Sequence, residues 1–117
     1  PNIAELQRGF ADGTERFCEP DNGFAWGRAG HGYNGICRSP EFSNAYAEGY
    51  HIYEIETRRS AIVSRLSSIR SELEKLEKKF DEDELTEEER GKAQRKYDKL
   101  RCERKDLRRE LEALPFV

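Results

Sequence analysis

The stretch from Ile62 to Phe80, IVSRLSSIRSELEKLEKKF, decides the fold. Its apolar residues Ile62, Leu66, Ile69, Leu73, Leu76 and Phe80 recur at alternating steps of four and three. That spacing is a heptad seam, with Leu66, Leu73 and Phe80 at a and Ile62, Ile69 and Leu76 at d. A second seam follows in AQRKYDKLRCERKDLRRELEAL, where Ala93, Tyr97, Leu100, Arg104, Leu107, Leu111 and Leu114 keep the same alternation. Arg104 takes an a position there. Between the seams lies the acidic run Asp81 to Glu89, in which Thr86 with Glu89 forms a capping box and the carboxylates suit a helix N-terminus. A new helix therefore starts near Thr86. Two seams of similar length joined by a short polar turn near 81–86 predict an all-α fold built on a long antiparallel, coiled-coil-like helical hairpin. Packing a against d places Phe80 beside Ala93, Leu73 beside Leu100 and Leu66 beside Leu107. Arg104 then faces Ile69, Arg59 lies near Leu114, and Cys102 falls at an outward f position. A two-stranded seam buries little area, so homodimerisation of the hairpin into a four-helix bundle is an expected route to further burial.

The surrounding composition limits the rest. Of 117 residues, 35% are apolar and 38% charged, with a formal net charge of −3. That is one small unit's worth of chain and too little apolar content for a large enzyme core. No apolar run reaches the length of a membrane span. No basic start followed by an apolar run opens the sequence, and Pro1 is no initiator Met, so a processed form is expected. Residues 61–117 carry fifteen basic and fifteen acidic side chains, and the first sixty are slightly acidic. Nucleic acid is excluded as an expected partner, because phosphate recognition needs uncompensated Lys and Arg.

Upstream of the hairpin, Ser39 and Pro40 suit an N-cap and a first helical position. No Pro and only Gly49 interrupt the chain from Glu41 to Phe80, so one helix of roughly forty residues is predicted, with Phe42, Tyr46, Tyr50 and Tyr53 turned to the head. Residues 1–50 read as a Gly- and aromatic-rich head and 51–117 as the hairpin. A first helix is predicted over 2–18, with Gly9 and Gly13 packing closely on a helix around Gly49. Phe116 and Val117 are expected to pack on Ile52, Ile55 or the head. Within the irregular segment, Asn22-Gly23 and Asn34-Gly35 are turn signals, Asp21 is a candidate cap for a short helix through Arg28, and Trp26 is the expected core anchor.

Cys18 and Cys37 bracket that segment, which holds too few apolar residues to order itself by burial. A disulfide between them would close the loop and requires an oxidising compartment. The competing arrangement is a zinc site of Cys18, His31, Cys37 and His51, whose spacings lack the short pairs that pre-organise structural zinc. No metal or cofactor is expected. No catalytic constellation is legible either: neither His31 nor His51 has a nucleophile beside it, and Glu54 and Glu56 read as helix-surface charges. Arg28, His31, Tyr33 and Asn34 beside Trp26 remain the candidate ligand or contact loop.

The run Gly9-Phe10-x-x-Gly13 to Cys18-x-Pro20-x-Asn22-Gly23-Phe24, then Gly27-Arg28-x-Gly30 and Tyr33-Asn34-Gly35-x-Cys37, resembles a family of small proteobacterial envelope proteins whose domain has no assigned function. Phe42, Ala45, Tyr46 and Gly49-Tyr50 continue the resemblance, which covers roughly residues 3–60. Many members carry a lipoprotein signal and a charged helical tail. The resemblance implies export, a Cys18–Cys37 pair, and a membrane tether only through an upstream lipidated cysteine. The expected role is non-enzymatic: a structural or protein–protein interaction module with a protein partner in the periplasm or outer-membrane-associated envelope of a Gram-negative bacterium. The alternative is a small-ligand-binding or enzymatic head using the Trp26–Asn34 loop.

Overall fold

The computed structural model describes residues 16–117. The chain is all-α: helix α1 spans Pro20–Arg28, α2 spans Pro40–Phe80 and α3 spans Glu87–Ala113, with no strand among the described residues. The helix expected over 2–18, with Gly9 and Gly13, falls almost wholly outside them. No described helix is long and apolar enough to cross a membrane. Two compact units divide the chain between Thr57 and Arg58, with Val117 grouped with the first. Helix α2 runs through both. Its start is capped as the sequence predicts, since the Phe42 N–H donates to the Ser39 hydroxyl at 3.4 Å.

In the unit Arg58–Phe116, α2 and α3 form the hairpin. Ile69, Leu73, Leu76, Ala93 and Leu100 make its buried cluster, flanked by Phe80, Tyr97 and Leu107. Ile62 and Ile69 are 1% and 0% exposed, as expected of d positions. Phe80 and Tyr97 meet edge-on with centroids 5.8 Å apart. Thr86 caps α3 by accepting from the Glu89 N–H at 3.1 Å. At the far end Arg59 donates to the Pro115 carbonyl at 2.6 Å, beside the expected Leu114. The expectation for the C-terminus fails at Phe116. Phe116 is 99% exposed and Val117 53%. Leu114 ends α3 in an extended conformation, and only the Arg59 guanidinium lies over the Phe116 ring, 5.9 Å from its centroid.

One flank of the seam is closed by ion pairs between g positions. Arg58 donates through two nitrogens to the Glu110 carboxylate, and Arg65 grips both Glu103 oxygens at 2.7–3.2 Å. These hydrogen bonds hold the Glu103 and Glu110 carboxyls below their ordinary value of 4.5 and raise both guanidiniums. A carboxyl whose value is lowered on folding binds protons more tightly in the unfolded chain. Its contribution is therefore complete above pH 4.5 and disappears as the pH falls through the lowered folded value. Hairpin melting temperature should thus drop on acidification below that point, and the Glu103→Gln/Glu110→Gln variant should lose most of this acid slope. An unchanged slope in the variant would exclude these pairs as its source.

In the other unit, α1 crosses α2 at backbone contact. A Cβ built on Gly27 would stand 2.2 Å from the Tyr46 carbonyl oxygen, and one on Gly49 would stand 2.2 Å from the Phe24 carbonyl oxygen. A Cβ on Gly23 would stand 2.8 Å from the Phe42 carbonyl oxygen. Phe42, 0% exposed, anchors this core. Three sequence expectations are corrected here. Asn22-Gly23 lies inside α1 rather than at a turn, because Pro20 starts the helix and Gly23 admits the Phe42 ring. Trp26 is 36% exposed and is not the anchor; the glycines bring the helix backbones too close for an indole between them. Asp21 lies in the first turn of α1, and the N-cap is Glu19.

Candidate functional site

The loop from Trp26 to Cys37 is held by its own caps. Helix α1 ends with the Gly30 N–H on the Gly27 carbonyl at 2.9 Å and the His31 N–H on the Trp26 carbonyl at 3.2 Å. With Gly30 at φ 80°, this is the Schellman arrangement, in which a left-handed glycine lets the chain satisfy the last helical carbonyls. The motif brings together the side chains of His31 and Trp26, whose rings stack 4.1 Å apart. The indole N–H then donates to the Gly32 carbonyl at 2.9 Å, and the Tyr46 hydroxyl donates to the His31 carbonyl at 2.7 Å. A second glycine, Gly35 at φ 79°, turns the chain where Asn34-Gly35 predicts.

Tyr33 fixes the other end of the loop. Its hydroxyl donates to the Cys37 carbonyl and accepts from the Cys37 N–H, both at 2.8 Å. Cys37 is buried and bonded to Cys18, with Cα atoms 5.4 Å apart. Both sulfurs are thereby taken from the alternative four-ligand zinc arrangement. Cys102 is free and exposed. An aromatic ladder continues from this staple: Phe17 lies against Trp26 and Phe42, Tyr33 against Phe42 and Tyr46, and Tyr50 against Tyr46 and Tyr53.

The five candidate residues do not converge on one point. Trp26, Tyr33 and Asn34 line one shallow depression with Phe17, Gly32 and Ile36. His31 lies along a second depression, lined also by Trp26, Phe17, Asn22, Ala25 and Ala29. Arg28 points elsewhere, into a 3.0 Å ion pair with Glu56 of α2. The surface that results is aromatic and aliphatic, with Ile36 50% exposed beside Trp26. Sequence reasoning named Trp26, Tyr33 and Asn34 but passed over Phe17 and Ile36; Ile36, an apolar residue next to a turn glycine, was the available signal.

Removing the staple tests how much this loop depends on it. Cys18→Ala/Cys37→Ala should destabilise the head by about 3 kcal/mol. Denaturation followed by Trp26 fluorescence should shift strongly, while far-UV dichroism dominated by the hairpin should shift little, since no sulfur enters the seam. Equal shifts in both signals would refute this division of labour.

Residues 1–51 match a family described as a protein of unknown function (DUF2799). No curated protein and no solved structure matches the chain. The match ends inside α2 and takes in the whole cysteine-bracketed loop with its two depressions, so it is the head that is similar to this domain of unknown function.

Proposed function

We propose that this chain is a cell-envelope protein of a Gram-negative bacterium, periplasmic or outer-membrane-associated, tethered through a lipidated segment upstream, and that its head works by protein–protein contact rather than catalysis. One observation carries the reading. The loop's shape is fixed by its own backbone and by α2, through the Trp26–Gly32, Tyr33–Cys37 and Tyr46–His31 hydrogen bonds and the Arg28–Glu56 pair. Beside the exposed His31 and Asn34, two large apolar side chains stay outside: Trp26 at 36% and Ile36 at 50% exposure. A loop braced in this way and presenting an aromatic and an aliphatic side chain is suited to a protein surface, where such anchors supply most of the binding energy. The disulfide supports an oxidising location.

Two measurements test this. Fractionation of cells carrying the complete gene should place the protein in the envelope with Cys18 and Cys37 oxidised; a cytosolic protein with reduced thiols would overturn the location. For the contact surface, Ile36→Asp should abolish co-migration with the native envelope complex while the melting temperature holds. His31→Ala should leave the complex intact. Acid–base work would need the imidazole itself, so a stable His31→Ala protein that loses function while Ile36→Asp keeps it would favour the ligand or enzymatic alternative.

A further inference from the structure

The two flanks of the hairpin seam are built differently. The g flank carries the cross-helix pairs Arg58–Glu110 and Arg65–Glu103. The e flank places Val63, Arg70 and Glu77 of α2 along Glu87, Gln94, Arg101 and Arg108 of α3. In an antiparallel pair these positions oppose each other, and opposite charges would normally be set there. Instead Arg70, Arg104 and Arg108 line one groove with Leu66 and Ser67. No ion pair crosses this flank among the described residues. Arg70 reaches only Glu74 of its own helix, at 3.4 Å, and Arg101 lies over the ring of its own helix's Tyr97. Val63 is 52% exposed beside the groove, and Leu66 and Leu107 are half-buried.

The same flank reverses sign along its length. Toward the helix termini near Arg58 and Ala113 it presents Arg70, Arg101, Arg104 and Arg108; toward the turn it presents Glu77 and Glu87. We propose that this flank is a self-complementary surface and that its partner is a second copy of the chain, docked antiparallel about a two-fold axis near Leu73 and Leu100. The axis lies midway between the levels of Arg70 and Glu77, so Arg70 of one copy meets Glu77 of the other. On α3, Arg108 and Glu87 lie on opposite sides of the same axis, so the basic arm of one copy's α3 faces the acidic arm of the other's. The two-fold makes each contact twice and closes the assembly. Leu66 and Leu107, half-buried in one copy, gain cover from the second while Val63 lies at the end of the overlap, which adds to the small area that a lone two-helix seam buries. A polyanionic partner would engage only the arginine half and would be repelled by Glu77 and Glu87; only a partner of reversed polarity satisfies both halves. This pairing is independent of what the head binds.

Sedimentation of the whole chain as Cys102→Ser, which removes disulfide crosslinking at that site, provides the test. The protein should sediment as a dimer whose association weakens with salt. Arg70→Glu/Arg108→Glu and Glu77→Lys/Glu87→Lys should each weaken association at least about tenfold, because like charges then face each other. Mixing the two variants in equal amounts should restore the dimer, since each then offers the charges the other needs. Lys99→Glu, at an outward c position, should change nothing. Far-UV dichroism of each variant separates lost pairing from lost helix. A chain that stays monomeric up to several hundred micromolar would overturn the proposal. So would swap variants that still dimerise alone, or a folded mixture that stays monomeric.

Discussion

Gly27→Ala should unfold the head while leaving the hairpin intact. The added methyl would lie 2.2 Å from the Tyr46 carbonyl oxygen and 2.8 Å from the Tyr50 backbone nitrogen. Both neighbours are main-chain atoms of α2, so no rotamer change relieves the contact and the helices must move apart. Separation would loosen the Gly23–Phe42 and Gly49–Phe24 contacts made by the same crossing, and with them the burial of Phe42. The expected loss is at least about 4 kcal/mol, beyond the usual cost of overpacking. The sign discriminates, because within a helix Ala is favoured over Gly by roughly 0.5–1 kcal/mol when nothing else intervenes. Gly32→Ala is the matched comparison, since nothing lies within 4 Å of its added methyl, and it should stay within about 0.5 kcal/mol of the parent. Trp26 fluorescence and faster reduction of the Cys18–Cys37 bond would report the loss. A Gly27→Ala head as stable as the parent would show that the crossing is not what orders it.

How far this architecture is legible in the sequence depends on how local its cause is. The hairpin is legible because its burial is periodic: alternating steps of four and three put Ile62, Ile69, Leu73 and Leu76 on one stripe, and all four are buried. Its turn is legible because Thr86 and Glu89 announce a cap. The cysteine staple follows from a loop too poor in apolar residues to order itself. The head's core is not legible in the same way, because its cause is a meeting of two backbones far apart in sequence. Gly49 stood out as a close-packing site, but its match with Gly27 depends on how α1 lies across α2, which glycine spacing alone does not specify. Gly23 and Gly27, four apart in one helix, were the available clue, and the turn propensity of Asn22-Gly23 concealed it. In the sequence, Trp26 reads as a core anchor. The Schellman end at Gly30 turns its ring onto His31 and the surface instead.

Leu73→Asp should cost the hairpin about 4 kcal/mol. Leu73 is 4% exposed and sits in the cluster with Ile69, Leu76 and Leu100. Aspartate there loses the apolar contacts and sets a carboxylate where the cluster offers it no partner. Ser71→Asp introduces the same side chain two residues earlier, on the exposed face of α2, and should change stability by less than about 0.5 kcal/mol. The pair of variants therefore separates position from chemistry. A further signature follows from the sign of the titration. Burial without a partner raises the folded-state value of the new carboxyl above its unfolded value, so acidification protonates the folded chain first and relieves the penalty. The parent moves the other way, because acid removes the Arg58–Glu110 and Arg65–Glu103 pairs. The gap in melting temperature between Leu73→Asp and the parent should accordingly narrow from pH 7 toward pH 4. A gap that stays constant, or comparable losses in both aspartate variants, would place residue 73 outside the seam and reject the register that pairs it with Leu100.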